Sequence, residues 1–318
     1  MAGVRTRQIA ALGAGLALAL GSVGAASASS QAGLPRPEMF EPFRGAAHAA
    51  RPTKSSNLTF HGGSPGVVKG ADKVYLVFWG GGWGNNGSTD PSGEAGILTS
   101  FFQHVGGSAW NNSVTQYCDG VATGTVTCGT SGNHATNPNN VYGASWFDTT
   151  NTAPAHPSQG DLAAEATRAA AHFGVTGAAL QESQFVVATA TGNSASGFGT
   201  QYCAWHSSTG SGSSRIAYTN LPYITDAGSS CGANFNGMSA TAGITIVEGH
   251  EFAETESDIF PNGGWLDRGG AENGDKCAWI SGSGSAASQV VSMNGASFPV
   301  QSLWSNASGG GSCVVAYP

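Results

Sequence analysis

Val74-Tyr75-Leu76-Val77-Phe78-Trp79 is apolar at every position and stops at Gly80-Gly81-Gly82. A strand with one wet face alternates apolar and polar residues. A run of strand length without alternation predicts a strand buried on both faces. Around it, Ile97, Leu98, Phe101, Phe102 and Val105 recur at helical spacing within residues 93–105. Residues 161–173 are rich in Ala, with Asp161 near the start and Gly174 just past the end, which predicts a second helix. Strands are predicted over 185–190 and 215–219. Residues 119–160 and 191–214, full of Gly, Asn, Ser and Thr, read as loop. Short strands and turns are predicted toward the C-terminus, at 290–293, 300–304 and 314–317. This alternation predicts an α/β or α+β fold: a single domain with a mixed β-sheet flanked by helices, loop-rich and disulfide-stabilised.

The N-terminus has a different character. Arg5 and Arg7 precede an uncharged run from Ile9 to Leu20, and Ala26-Ser27-Ala28 offers small residues at its exit. That order predicts an export signal over 1–28, cleaved after Ala28. The run falls short of the ~20 apolar residues that span a bilayer, and no later segment reaches that length, so no membrane association is expected. Residues 29–55 contain Pro35, Pro37, Pro42 and Pro52 and no apolar period. They predict a flexible mature N-terminal extension or pro-segment ahead of one globular domain over 56–318. In an exported chain an even cysteine count predicts disulfides. Cys118–Cys128, Cys203–Cys231 and Cys277–Cys313 are the expected pairs, because each closes a loop rich in Gly, Ser and Asn. A net charge of −7 with only 12 basic residues argues against nucleic acid, whose phosphates need clustered Lys and Arg. A secreted, extracellular monomer is the expectation.

The chemistry-bearing stretch is residues 239–257. Ser239 is a candidate cap, and Ile244, Ile246 and Val247 make the first turns apolar on more than one side, which predicts a buried helix. His250-Glu251-Phe252-Ala253-Glu254 then reads H-E-x-x-E. Residues four apart share a helix face, so His250 and Glu254 can address one ion, with Glu251 turned aside. This is the layout of the H-E-x-x-H zinc helix, in which the middle Glu is the general base. Here a carboxylate replaces the second histidine. Zinc accepts such a ligand, but the lower site charge also admits calcium or manganese. Glu272 and Asp258 are candidates for a further ligand, with Asp275 a third. The competing reading is a solvated acidic face, since Glu248, Glu251, Glu254, Glu256 and Asp258 crowd one short segment. Buried carboxylates, in contrast, repel one another unless a cation neutralises them.

Several segments carry a family resemblance. They are Leu58-Thr59-Phe60-His61-Gly62-Gly63, followed by Lys69-Gly70 and the apolar strand; Cys203-Ala204-Trp205-His206-Ser207; the apolar helix from Thr241 to Ile246; and the order H-E-x-x-E, D, G-W-x-D, E-x-G-D-x-C-A-W. Together they resemble the phosphate-induced, EXORDIUM-like secreted proteins over most of residues 57–316, and especially bacterial relatives that keep the ionisable residues. The resemblance implies secretion and a shared fold. Plant members of that family are linked to growth, are not established as enzymes and lack the His-Glu pair, so His250, Glu251 and Glu254 are where this chain departs from them.

The expected function is a secreted metal-dependent hydrolase, a peptidase acting on an extracellular peptide or cell-wall substrate. His250 and Glu254 hold a divalent metal, Glu272 or Asp258 completes the site, and Glu251 is the catalytic base. The alternative is a non-catalytic extracellular or wall-associated protein whose acidic loop holds a structural cation. A third reading has Trp79 and Trp83, flanking the glycines, stack on a sugar. His61, His134 and His206 sit among Gly and Ser; any of them could face a cleft and bind metal or substrate, and the favoured reading is a loop histidine making an ordinary hydrogen bond.

Overall fold

The computed structural model describes residues 33–45, 57–307 and 310–317, with Met1 and Gly3. The export signal expected over 1–28 lies outside them but for those two positions. The described residues from 33 onward form one compact unit.

Six strands build the main sheet: β1 (Glu38–Phe40), β2 (Lys73–Trp79), β3 (Tyr142–Asp148), β4 (Ser183–Thr189), β5 (Ala204–Thr209) and β6 (Ile216–Leu221). Their order is β1-β5-β6-β4-β2-β3. The block β6-β4-β2-β3 is parallel, while β5 runs antiparallel to both β6 and β1. The helices are α1 (Glu94–Val105), α2 (Gln159–Phe173) and α3 (Ala242–Ser257). The sheet is mixed and covered on both faces, as the apolar run requires. Val74, Leu76 and Phe78 of β2 join Leu98 and Phe101 of α1 and Ile244 and Phe252 of α3 in one core. Val77 and Trp79 point the other way, against Leu162, Ala166 and Ala169 of α2. The period-two alternation of a strand thus feeds two separate apolar layers.

The predicted helices form close to their expected bounds. Ser158 Oγ accepts from Asp161 N (3.2 Å) while Asp161 Oδ2 accepts from Ser158 N (2.8 Å), a reciprocal cap that starts α2. Gly174 ends it in the left-handed region at φ 68°. Ser239 does not cap α3; Thr241 occupies the cap position, without a side-chain bond.

Three segments differ from expectation. β3 and β5 lie in stretches that read as loop, because Tyr142-Gly143-Ala144-Ser145 and Ser207-Ser208-Thr209 lack the β-branched density of a typical strand. Pairing with central neighbours decides their conformation. β1 lies inside residues 29–55, where an extension is expected, and joins the sheet as the outer neighbour of β5.

All three expected disulfides form. Cys203–Cys231 ties the start of β5 to the segment before α3, and Cys277–Cys313 anchors the loop that follows α3.

Candidate metal centre

Every residue of α3 is buried, so its carboxylates form no solvated face. The helix is sandwiched between the sheet on one side and α1 with the ribbon Gln289–Met293/Ala296–Val300 on another. The buried face toward the sheet presents His250, Glu251 and Glu254. Alternation along β5 sends Trp205 into the α2 core, so His206 points with Ala204 toward α3. The loop after α3 supplies Glu272 and Asp275. It is held by Asn273 Nδ2, which donates to Ala253 O and to Ser257 Oγ (both 2.9 Å), by the ion pair of Lys276 Nζ with Asp267 Oδ2 (2.9 Å), and by Cys277 in its disulfide.

These elements converge tightly. His250 Nε2 lies 3.0 Å from Glu254 Oε1 and 3.8 Å from Asp275 Oδ1. His206 Nδ1 lies 3.0 Å from Glu251 Oε2 and 3.6 Å from Glu254 Oε2, and its Nε2 is 3.4 Å from Glu272 Oε2. Two triads result, His206/Glu254/Glu272 and His250/Glu254/Asp275, the ligand atoms of each within 4.8 Å of one another. Gln301 Oε1 faces His250 Nδ1 at 3.3 Å, and Gln301 Nε2 donates to Gly274 O (2.8 Å). An amide oxygen can only accept, so His250 Nδ1 carries the proton and Nε2 keeps its lone pair toward Glu254 and Asp275. Toward an ionised Glu251, His206 Nδ1 is the donor, which leaves Nε2 as a lone pair facing Glu272.

Burial pushes His206 down to about 3 and His250 to about 4, so both rings are neutral near pH 7. Burial, reinforced by neighbouring carboxylates, holds Glu251, Glu254 and Glu272 well above the usual range and lifts Asp275 to about 7. His206 Nε2, His250 Nε2, Glu251 Oε1 and both oxygens of Glu272 are buried without a hydrogen-bond partner. Imidazole lone pairs therefore face carboxylate oxygens in a dry interior, an arrangement that a cation or added protons must relieve. Neutral imidazole with carboxylate is a donor set that suits a divalent metal, zinc included. The residues present fit such an ion.

His250, Glu251, Glu254, Glu272 and Asp275 are brought together as the spacing suggested. Asp258, the other candidate ligand, caps the end of α3, accepts from Gly263 N (3.2 Å) and belongs to neither triad. His206, expected to be a loop histidine, is instead a buried strand residue of one triad. Its signal was the alternation Ala204-Trp205-His206, masked by the serines that follow. Gln301, which orients His250, left no trace in the motif. His61 and His134 make ordinary hydrogen bonds, to Thr59 Oγ1 and to two backbone carbonyls respectively. Trp79 and Trp83 are buried, which removes the surface that sugar stacking needs. No protein-family model matches the chain, and no curated protein or solved structure matches it.

Proposed function

We propose that the chain is a secreted metal-dependent hydrolase, a peptidase, built on the H-E-x-x-E helix, and that it is a bacterial relative of the EXORDIUM-like proteins. The observation that carries the hydrolase reading is the opposition of unpartnered, neutral histidine nitrogens to unpartnered carboxylates around Glu254, with the free oxygen of Glu251 beside them. Glu254 holds the ion, with His250 and Asp275 in one triad or with His206 and Glu272 in the other. When bound, a divalent ion supplies Lewis acidity toward a scissile carbonyl and toward water. The chain's own part is proton handling. Glu251 Oε2 is held by His206 Nδ1, which fixes the carboxylate and leaves Oε1 free to take a proton. Burial raises the proton affinity of Glu251, which brings a carboxylate closer to the working range of a general base at neutral pH.

The second reading, a structural cation in a non-catalytic extracellular protein, is favoured by one feature. His206, His250, Glu251, Glu254 and Glu272 are all at most 1% exposed, so the site is closed apart from Asp275, whose side chain is 30% exposed. Glu251→Gln separates the two. It should keep a stoichiometric ion and the melting temperature while peptide hydrolysis falls by about a hundredfold or more. Full activity in Glu251→Gln removes Glu251 as the base, and no peptide hydrolysis by the metal-loaded wild type leaves only the structural reading. Absence of any tightly held divalent metal in the wild type overturns both.

A further inference from the structure

The closure of the site has a specific cause. β1 lies along β5, with Glu38 opposite His206, Met39 opposite Trp205 and Phe40 opposite Ala204. Without β1, β5 would be the edge of the sheet, and its His206 belongs to one metal triad. Side chains directly opposite in an antiparallel pair share a face. Glu38 and Phe40 therefore point with His206 toward α3, while Met39 points with Trp205 to the opposite face, where it is 43% exposed. The Phe40 ring stacks on His250 (centroids 3.9 Å apart, 18° between planes) and on Trp279 (4.8 Å, 10°). Three residues on, Phe43 meets Phe235 edge to face at 5.1 Å and borders a cavity of about 360 Å³ lined also by Ser229, Ala233 and Asn236.

Beyond those rings the segment is held through its backbone. Cys203 N donates to Phe40 O (2.8 Å), Phe43 N donates to Ser230 O (2.8 Å), Trp279 Nε1 donates to Glu41 O (2.7 Å), and Gln159 Nε2 donates to Pro35 O (2.7 Å). Main-chain pairing to an edge strand, with alternate side chains in slots, is how a sheet captures an extended peptide. Such pairing reads backbone and a few anchors, so another peptide with an aromatic residue in the right register satisfies the same groups.

We propose that the edge of β5 is a peptide-binding edge, that residues 36–43 occupy it as a built-in strand, and that the substrate is an extended peptide which takes the place of β1 with an aromatic side chain between His250 and Trp279. The substrate assignment rests on the hydrolase reading; the binding edge does not. Displacing β1 opens the buried triads, which reconciles a closed site with a reactive one.

The test uses the full chain and a fluorescently labelled peptide of sequence Arg-Pro-Glu-Met-Phe-Glu-Pro-Phe, that of residues 36–43. In Phe40→Ala the peptide should bind at least about tenfold more tightly than in wild type, because the resident strand has lost its anchor. Amide exchange over residues 203–207 should quicken in that variant and slow again when the peptide is added. The same peptide with Ala in place of its first Phe should show no gain. Met39→Ala, which alters only the outward side chain, should behave as wild type. If Phe40→Ala fails to fold, Phe40→Leu carries the test with a gain of about threefold. Unchanged peptide affinity and unchanged exchange in the folded variant overturn the proposal. Metal content and hydrolysis, measured on the same proteins, keep the two readings apart. Peptide gain without any metal retains the binding edge and removes the hydrolase; metal and hydrolysis without peptide gain do the reverse.

Discussion

Glu254 sends Oε1 toward His250 and Oε2 toward His206, so a single side chain belongs to both triads. Glu254→Ala should therefore abolish stoichiometric metal binding wherever the ion sits, as read by elemental analysis after dialysis. An ion retained at full occupancy would place the metal elsewhere. Gly274 is equally exacting for a different reason. A Cβ built there would lie 2.6 Å from His250 Nδ1 and 2.9 Å from Glu254 Oε1, so only glycine lets the loop carrying Glu272 and Asp275 approach this closely. Gly274→Ala should push that loop away and weaken metal binding by about ten- to a hundredfold, the usual effect of disturbing the support of a metal ligand. Wild-type affinity in that variant would mean that the loop carries no ligand. At this scale the helix half of the site was legible, because residues four apart on a helix must share a face. The strand half was not. His206 stands among Ser and Thr, which hide the alternation that sets its facing, and its pairing with β6 and β1 is not written in the local sequence.

β5 is the element on which site and fold both depend. It is paired on two sides, carries His206, and is tied by Cys203–Cys231 to the segment that leads into α3. Closing a 28-residue separation, this bridge should matter more than Cys118–Cys128, which spans 10. Cys203→Ser/Cys231→Ser should lower unfolding free energy by about 2–4 kcal/mol in a denaturant titration, and should weaken metal binding as well by loosening the strand. Cys118→Ser/Cys128→Ser should lose less and leave metal affinity intact. Equal effects on metal from both pairs would sink the idea that the first bridge holds the site. β2, α1, α2 and α3 were legible because burial on one or both faces writes itself into apolar spacing. β3 and β5 were not, since Gly, Ser and Thr serve a strand as well as a loop once a neighbour supplies the pairing.

Across the whole molecule the chain buries carboxyl groups outside the metal triads as well. Glu94 and Glu248 are fully buried on α1 and α3, and burial holds both well above the carboxylate range. Burial lifts Asp72, beside Glu256, to about 6, and lifts Glu165 to about 7 despite its ion pair with Arg168. A carboxyl raised in the folded state binds its proton more tightly there than in the unfolded chain. Its contribution to stability is therefore fully present below the unfolded value near 4 and is lost as pH rises through the folded value. These many raised carboxyls should accordingly cost the metal-free protein stability between about pH 4 and pH 7, against the opposite contribution of the two lowered histidines, His206 and His250. Asp72→Asn tests this with a residue outside both triads. Asp72 sits at φ 36°, a conformation that Asn tolerates, and the amide oxygen can still accept from the carboxyl of Glu256. In chelator-treated protein the variant should match wild type near pH 4 and exceed it at pH 7.5 by on the order of 1–3 kcal/mol, since a tenfold change in proton affinity is worth about 1.4 kcal/mol. Thermal melts at the two pH values decide. A variant less stable than wild type at pH 7.5, or a wild type that gains stability across the window, would show that Asp72 is ionised and useful in the fold.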